Sequence, residues 1–156
     1  VRFRDLVQGE QVFDLARDCG DFVIRRADGV YGYQLAVTVD DALMGITRVV
    51  RGRDLLDSAA RQIWLMGQLG YCPPVYAHVP LLLSPDGRRL SKRERDLDLG
   101  VLRQSHRPEE LLGALAWLAG LRKEPAPVTA EALARDFSWN RVTQADLILQ
   151  AGALAK

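Results

Sequence analysis

Hydrophobic and polar positions change their spacing several times over the first half of the chain, which predicts alternating strands and helices. Short apolar and β-branched runs predict strands, whereas apolar residues three or four positions apart predict helices. Gly45 is placed to end the first helix, and Ser58 is placed to cap the second. Because strands and helices alternate, we expect a parallel sheet with helices packed on its faces. The predicted strands are 1–5 and 11–15, which form a hairpin, then 22–24, 46–50 and 75–83; the predicted helices are 31–44 and 59–69.

The pattern changes in the last third of the chain, where only helices are predicted. Pro108, which two glutamates follow, is typical of a helix start. Thr129 and Thr143 are typical caps of two further short helices. We therefore predict an α/β fold in which a parallel-sheet half-domain, residues 1–94, is followed by a small all-helical segment, residues 95–156.

Composition restricts the class of protein and the kinds of partner. The chain has 156 residues, of which 48% are hydrophobic and 26% charged, and its net charge is +1. A chain of this length can bury roughly 70% of its unfolded surface, so its stability requires no metal or disulfide. The near-neutral charge argues against a general nucleic-acid coat but allows a local basic site. No apolar run approaches the roughly 18 residues of a membrane span, so we predict no membrane partner.

Neither cysteine has a neighbour of the kind that binds zinc or forms a redox pair. Cys19 and Cys72 are far apart in the sequence, and His78 and His106 have no ligand-type spacing to them. We therefore predict two free thiols and no zinc in this part of the chain. Reduced thiols are usual in the cytoplasm, which is the predicted location.

A basic segment follows the last predicted strand. The apolar run Pro80–Leu83 leads into the turn Ser84–Gly87, and residues 88–93 then carry four cations and a hydroxyl. Flexible positive charge at the rim of an apolar sheet can stabilise a polyphosphate as its charge changes. The alternative is a solvated surface loop, because acidic residues are interspersed among the basic ones. These acidic residues are Asp86, Glu94, Asp96 and Asp98.

Two further candidates lie at the same predicted edge of the sheet. Tyr33 is near the start of a predicted helix, and Arg51 follows a predicted strand. Open parallel sheets bind ligands outside the carboxyl ends of their strands. Arg51 can bind a carboxylate through two hydrogen bonds, and Tyr33 can bond to an amine or an oxygen. The alternatives are that Tyr33 is half-buried core and that Arg51 pairs with an aspartate, either Asp40, Asp41 or Asp54.

Six blocks of sequence resemble, in the same order, the second half of the catalytic domain of the glutamyl-tRNA synthetase family of class I aminoacyl-tRNA synthetases. The resemblance extends from about the first residue to Leu121 and implies a Rossmann-like fold. The block Leu-Ser-Lys-Arg, residues 90–93, is similar to the KMSKS loop of class I enzymes. The six blocks are 21–29, 33–41, 44–52, 61–62, 78–80 and 90–93.

Two branches of this family remain possible. Segments 31–36 and 51–56 resemble the glutamyl-queuosine tRNA(Asp) synthetases, and the residues after Leu121 leave no room for the anticodon-binding domain that this branch lacks. The ending Ser-Lys-Arg at 91–93 is instead common in full-length glutamyl-tRNA synthetases. We favour the queuosine branch. The family's first half, with its His-x-Gly-His motif, has no counterpart here, so we expect a fragment that needs this missing N-terminal half as its partner and is inactive alone.

The resemblance implies a reaction and a set of residue roles. Glutamate would be activated with ATP, which carries Mg²⁺, and the glutamyl group would pass to the queuosine base of tRNA(Asp). Lys92 and Ser91 would be catalytic, since they face the phosphates, and Tyr33 and Arg51 would bind glutamate. The implied ATP-binding residues are His78, Leu90, Ser91, Lys92 and Arg93, and those that would contact RNA phosphates are Arg88, Arg89, Arg93 and Arg95.

Other interpretations stay open beside this one. His78 can equally be a hydrogen-bonded histidine at a strand end without a substrate contact. The chain can belong to a glutamate–tRNA ligase that charges tRNA(Glu), or it can be a non-catalytic fragment or RNA-binding accessory. Neither GxGxxG nor GxxxxGK occurs in the sequence, which argues against an unrelated nucleotide-binding protein.

Overall fold

A computed structural model of the chain describes residues 1–90 and 99–149. The chain divides into two compact units, Val1–Val79 and Pro80–Lys156. The predicted domain boundary between residues 94 and 95 lies outside the described residues and stays a prediction. None of the helices described is long and apolar enough to cross a membrane.

The first unit contains a hairpin, two helices and a pair of parallel strands. Its strands are β1 (Arg2–Asp5), β2 (Gly9–Val12), β3 (Arg48–Gly52) and β4 (Val75–Val79), its α-helices are α1 (Tyr33–Leu43) and α2 (Leu56–Gln68), and shorter helical turns span Leu15–Cys19 and Arg53–Leu55. β1 pairs with β2 in antiparallel fashion, which confirms the predicted hairpin. β3 and β4 are parallel, with α2 between them in the chain, as the alternating pattern predicted. Cys19 and Cys72 are free thiols.

Helix α2 and strand β4 contribute most of the buried residues of the first unit. The fully buried residues include Ala59 and Met66 on the helix and Tyr76 and Ala77 on the strand. The hairpin is joined to β4 by a hydrogen bond from the amide of Leu6 to the carbonyl of Tyr76, at 2.9 Å. This bond brings the end of β1 beside the middle of β4.

Ser58 does not cap α2, contrary to prediction. The helix begins at Leu56, two residues before Ser58, and Ser58 is buried inside it. Its hydroxyl accepts a hydrogen bond from Nε2 of Gln34 at 3.0 Å, and Oε1 of Gln34 accepts one from Nε2 of Gln62 at 2.9 Å. A polar side chain that is buried must find a partner, and here the facing helix α1 supplies it.

The strand predicted at 22–24 is not formed. Val23 and Ile24 are 62% and 50% exposed, so their apolar character does not reflect burial within the described structure. The backbone bonds of this segment close a local turn instead, because the amide of Gly32 donates to the carbonyl of Ile24 at 2.9 Å. The two segments pass so closely that a Cβ at Gly32 would lie 2.2 Å from the carbonyl oxygen of Val23.

The end of α1 follows the prediction. The helix stops at Leu43, and Gly45 has a φ of +66°, a conformation that glycine adopts without strain. The amide of Ile46 then donates to the carbonyl of Asp41 at 2.9 Å. The chain therefore leaves α1 in a tight turn and enters β3.

The second unit is mainly helical. Its elements are β5 (Leu82–Leu83), α3 (Leu99–Ser105), α4 (Pro108–Leu118), α5 (Ala130–Arg135), a short helical turn at Trp139–Arg141, and β6 (Leu147–Ile148). The predicted start at Pro108 is confirmed. So is the cap at Thr129, whose hydroxyl accepts from the amide of Ala132 at 3.2 Å. Pro80 separates β5 from β4, although one continuous strand was predicted there.

The helix predicted after Thr143 is wrong, because the chain forms β6 there instead. β6 lies parallel to β5, and Leu147 pairs with Leu82. The amide of Leu147 donates to the carbonyl of Leu81 at 2.9 Å, and the amide of Leu149 donates to the carbonyl of Leu83 at 2.8 Å. The backbone groups of β5 thus obtain partners from a segment far along the chain, which local helical spacing does not reveal.

Candidate functional site

The parallel pairing of β3 and β4 brings two predicted site residues together. Arg51 and His78 are direct partners in the register, so their side chains emerge on the same face of the strand pair. Nε of Arg51 donates a hydrogen bond to Nε2 of His78 at 3.0 Å. Arg51 is partly exposed, whereas His78 is fully buried.

A buried carboxylate lies on the other side of the His78 ring. Asp5, the last residue of β1, is 1% exposed, and its Oδ2 is 2.6 Å from Nδ1 of His78. Its Oδ1 accepts from the amides of Val7 at 2.9 Å and Gln8 at 2.8 Å. Both oxygens also lie 3.1 Å from the amide nitrogen of His78. Burial raises the pKa of Asp5, but hydrogen bonds from the His78 ring and from the amides of Gln8, His78 and Val7 outweigh it and hold the pKa below its ordinary value.

These contacts determine which nitrogen of His78 carries the proton. An arginine side chain only donates hydrogen bonds, so Nε2 of His78 must accept from Arg51. The proton is therefore on Nδ1, where it is donated to the Asp5 carboxylate. The three side chains form one chain of hydrogen bonds, from Arg51 through His78 to Asp5, which we call the Arg51–His78–Asp5 chain.

Arg51 is held on further sides as well. Its Nη2 donates to the carbonyl of Leu55 at 3.2 Å, and its guanidinium carbon lies 5.3 Å from the centre of the Tyr76 ring. The Tyr76 ring stacks on His78, with centroids 5.8 Å apart. Burial raises the pKa of Tyr76 to about 12, so the phenol stays neutral beside the guanidinium.

The hydrogen bonds of Arg51 distinguish between the two interpretations of this residue. They go to His78 and Leu55, whereas the alternative interpretation expected a nearby aspartate such as Asp54. Within residues 1–90 and 99–149, Nη1 has no hydrogen-bond partner. Among these residues the guanidinium is thus fixed through Nε and Nη2, whereas Nη1 is unpaired.

Tyr33 is separate from this chain of contacts. It is the first residue of α1 and 56% exposed, so it is not half-buried core. No hydrogen bond in the described structure joins it to Arg51 or His78. Its neighbour Gln34 fixes this end of α1 against α2 through Ser58 and Gln62. The Tyr33 phenol is therefore presented to solvent from an anchored helix end.

The basic segment is described only as far as Leu90. Residues 84–88 form a closed turn, in which the amide and hydroxyl of Ser84 both donate to the carbonyl of Arg88 at 2.8 Å. The Ser84 hydroxyl also contacts the Asp86 carboxylate. The amide of Leu90 returns to the carbonyl of Leu82 at 3.4 Å. Arg88 and Arg89 are exposed.

The predicted roles of Ser91, Lys92 and Arg93 lie outside the described residues and stay predictions, and so does RNA contact by Arg95. The segment that leads to these residues is nevertheless held by hydrogen bonds. β5 leads into the closed turn, and the carboxylate of Asp146 accepts from the amide of Leu81 at 2.8 Å. Together with the β5–β6 pairing, this bond ties the base of the basic segment to the end of the described chain.

Sequence reasoning missed two residues of these sites. Asp5 ends a short strand and precedes a Gly-containing turn, which is the usual place for a surface aspartate. Asp146 lies in a stretch that was expected to be helical. Both carboxylates acquire their roles from partners 73 and 65 residues away, so local patterns carried no signal for them.

Comparison with known proteins identifies the family. Residues 1–155 match the model of "tRNA synthetases class I (E and Q), catalytic domain". The chain belongs to this family. It is 48% identical over 156 residues to the Glutamyl-Q tRNA(Asp) synthetase of Symbiobacterium thermophilum, with 99% of this chain and 48% of that protein covered. It is 50% identical over 143 residues to the protein of the same name from Geobacter sulfurreducens, with 89% and 44% covered.

These matches confirm the family resemblance found in the sequence. The chain spans about half the length of the curated relatives that it matches. Solved structures support the fold. A glutamate tRNA ligase from Elizabethkingia meningosepticum, in complex with its amino acid, is 24% identical with a TM-score of 0.79, covering 99% of this chain and 34% of that one. Glutamate-tRNA synthetase from Elizabethkingia anophelis gives a TM-score of 0.80 at 24% identity, covering 99% and 35%. The predicted α/β class with a Rossmann-like half-domain is therefore confirmed.

The synthetase family raises the question of metal binding. Among the described residues, no group of three or more histidines, cysteines, aspartates or glutamates is placed to hold a metal ion. A Mg²⁺ ion that accompanies ATP is usually held by the phosphates and water with one or two carboxylates, so it does not require such a group.

Proposed function

We propose that this chain is part of an enzyme that activates glutamate with ATP and transfers the glutamyl group to the queuosine base of tRNA(Asp). The relatives at 48% and 50% identity carry the name of that activity. The structural observation that carries the proposal is the fixed guanidinium of Arg51. Two neighbours hold it through Nε and Nη2, and Nη1 is left unoccupied within the described structure.

Arg51 would bind a carboxylate of glutamate. A guanidinium is always charged and presents donors in a rigid fork that matches a carboxylate. Side-chain freedom is normally lost on binding such a ligand, and here the protein has already restricted it. The exposed phenol of Tyr33 would supply a hydrogen bond to the amine or to another oxygen of glutamate.

The basic segment would bind ATP. In the first step a glutamate carboxylate attacks the α-phosphorus, glutamyl-adenylate forms and pyrophosphate leaves with the charge of the β- and γ-phosphates. Lys92 would stabilise that charge, and Ser91, Leu90 and Arg93 would contact the nucleotide. In the second step a hydroxyl of the queuosine base attacks the acyl carbon and AMP leaves. Neither step requires a covalent bond to the protein, so catalysis consists of positioning and electrostatic stabilisation.

His78 was predicted to contact ATP, but its surroundings support another role. The residue is fully buried, and both ring nitrogens are hydrogen-bonded within the first unit. Contact with a nucleotide would require one of these bonds to break. We therefore assign His78 to holding Arg51, and leave ATP to the basic segment.

A calorimetric titration with a non-hydrolysable glutamyl-adenylate analogue tests the assignment of Arg51. The Arg51→Ala variant should lose binding by about 10- to 1,000-fold, because a charge-assisted pair is removed. Arg48→Ala is the matched control, since it removes an exposed arginine from the same strand. Equal affinity of both variants would refute the role of Arg51.

The acceptor requires its own experiment, because charging of tRNA(Glu) is the competing function. The ending Ser-Lys-Arg at 91–93 is the observation that favours this competitor. With the expected N-terminal half added, the chain should transfer labelled glutamate to tRNA(Asp) that carries queuosine, but not to an unmodified tRNA(Asp) transcript or to tRNA(Glu). Transfer to tRNA(Glu) alone would establish the competing function. Salt-sensitive RNA binding without adenylate formation would indicate a non-catalytic accessory.

A further inference from the structure

We infer that Asp5 is a positioning residue for Arg51 and that it acts by fixing the tautomer of His78. The inference rests on the proposed role of Arg51 in binding glutamate. Asp5 itself is buried and contacts neither the solvent nor the outer edge of Arg51. Its influence must therefore pass through the histidine between them.

The site of Asp5 accepts only a carboxylate. Its two oxygens face hydrogen-bond donors alone: the amides of Val7, Gln8 and His78, and Nδ1 of His78. An asparagine has the same shape but replaces one oxygen with an NH₂ group, which is a donor. Any orientation of that side chain places its NH₂ group against at least one donor of the protein.

The effect of Asp5→Asn passes through the imidazole ring of His78. With the asparagine oxygen facing the amides of Val7 and Gln8, its NH₂ group faces Nδ1 of His78. The ring can then avoid a clash of two donors only by moving its proton to Nε2. In that tautomer the Nε2–H group points at the Nε–H group of Arg51, and two donors then face each other. The hydrogen bond that joins these nitrogens at 3.0 Å in the wild-type protein is lost.

A change at Arg51 should in turn weaken the binding of a ligand carboxylate. Without the bond to His78, the Arg51 guanidinium keeps only its contact with the carbonyl of Leu55 and its position beside the Tyr76 ring. Its planar fork can then rotate, and a carboxylate must order it on binding. Loss of comparable outer partners in metal sites typically weakens binding about 10- to 100-fold. We expect a loss of this size for Asp5→Asn.

The proton position can be read directly by ¹⁵N NMR of the histidine rings. The chain has only two histidines, so the spectrum is simple. His106 serves as an internal reference, because its Nδ1 contacts Ser105 and the carbonyl of Leu102 rather than any residue of the Arg51–His78–Asp5 chain. The wild-type protein should carry the His78 proton on Nδ1, and Asp5→Asn should carry it on Nε2. A wild-type proton on Nε2 would overturn the inference.

Binding of the adenylate analogue tests the consequence. Asp5→Asn should weaken it about 10- to 100-fold, and the Asp5→Asn, Arg51→Ala double variant should bind no more weakly than Arg51→Ala alone, because both changes remove the same interaction. Asp57→Asn is the matched control; it removes an exposed carboxylate that pairs with Arg61. Additive losses in the double variant, or wild-type affinity of Asp5→Asn, would contradict a role through Arg51.

A second variant keeps the test decisive if Asp5→Asn does not fold. Arg51→Met keeps an unbranched stem but removes the donor to Nε2 and leaves Asp5 in place, so the His78 proton should stay on Nδ1. A shift to Nε2 would show that Arg51, not Asp5, determines the tautomer. The NMR result is independent of substrate. If the wild-type protein has its proton on Nδ1 but does not bind the analogue even with the expected N-terminal half present, the proposed function fails, while the control of the His78 tautomer by Asp5 stands.

Discussion

Replacement of Asp5 by alanine should cost a large part of the stability of the first unit. The change leaves the ring Nδ1–H and the amide of His78 without an acceptor in a fully buried place. Each unsatisfied buried donor costs about 1–3 kcal/mol. Two such donors give a loss of roughly 2–6 kcal/mol, and we expect a value in that range. Domains of this kind unfold with about 5–15 kcal/mol in total, so the loss should be conspicuous.

Urea unfolding gives the measurement, and a tryptophan reports on the right unit. Trp64 is the one tryptophan of residues 1–79, so a background with Trp117→Phe and Trp139→Phe leaves fluorescence from that unit alone. Asp57→Ala is the control, because it removes a half-exposed carboxylate, which should contribute less to stability than the buried Asp5. Equal midpoints for the Asp5 and Asp57 variants would refute the reasoning about buried donors.

The same variant should show a characteristic pH dependence. Although burial raises it, the pKa of Asp5 is held below its ordinary value by the hydrogen bonds from His78 and the backbone amides. A carboxyl whose folded pKa is depressed contributes stability above its unfolded pKa, about 3.9, and loses that contribution as the pH falls through the folded value. The difference between wild type and Asp5→Ala should therefore be full at pH 7 and shrink below about pH 4. A difference that grows in acid would contradict the sign.

Three further predictions concern other parts of the chain. Gly32→Ala should lower the melting temperature, since its Cβ would lie 2.2 Å from the carbonyl oxygen of Val23, whereas the same change at the open position Gly67 should not. In the enzyme completed with the expected N-terminal half, Lys92→Ala should slow glutamate-dependent ATP–pyrophosphate exchange about 100-fold, and Lys123→Ala should not; equal rates would exclude phosphate stabilisation by Lys92. Leu147→Pro removes the amide that donates to the carbonyl of Leu81 at 2.9 Å and should expose residues 81–83 to hydrogen exchange; unchanged protection would show that β6 is dispensable.

The sequence predicted those features of the fold that depend on local spacing. The hairpin, α1 with Gly45 after it, and the starts at Pro108 and Thr129 all follow from periodicity or from capping. The failures have a common cause. Partners elsewhere in the fold decide the conformation of Ser58 and of residues 147–148. Residues 22–24 form no strand because no neighbouring strand pairs with them in the described structure.

In the candidate site, too, sequence patterns predicted some residues and missed one whose role depends on distant contacts. Sequence reasoning selected Arg51 from its position after a strand and His78 from the family resemblance, and the β3–β4 register joins them. It did not select Asp5. The role of this residue depends on contact between β1 and β4, because its partner His78 lies 73 residues further along the chain. A carboxylate of this kind becomes recognisable only when the strand pairing is known, because aspartates near turns are otherwise common.

The β5–β6 pairing has a consequence for the order in which the protein can mature on the ribosome. Parallel strands need a long crossover connection, and here residues 84–146 provide it. The strand that leads into the basic segment therefore lacks its partner until residues 147–149 have left the exit tunnel, long after the Arg51–His78–Asp5 chain can close. The unit that holds Arg51 can thus be completed during synthesis, whereas the base of the basic segment is assembled last.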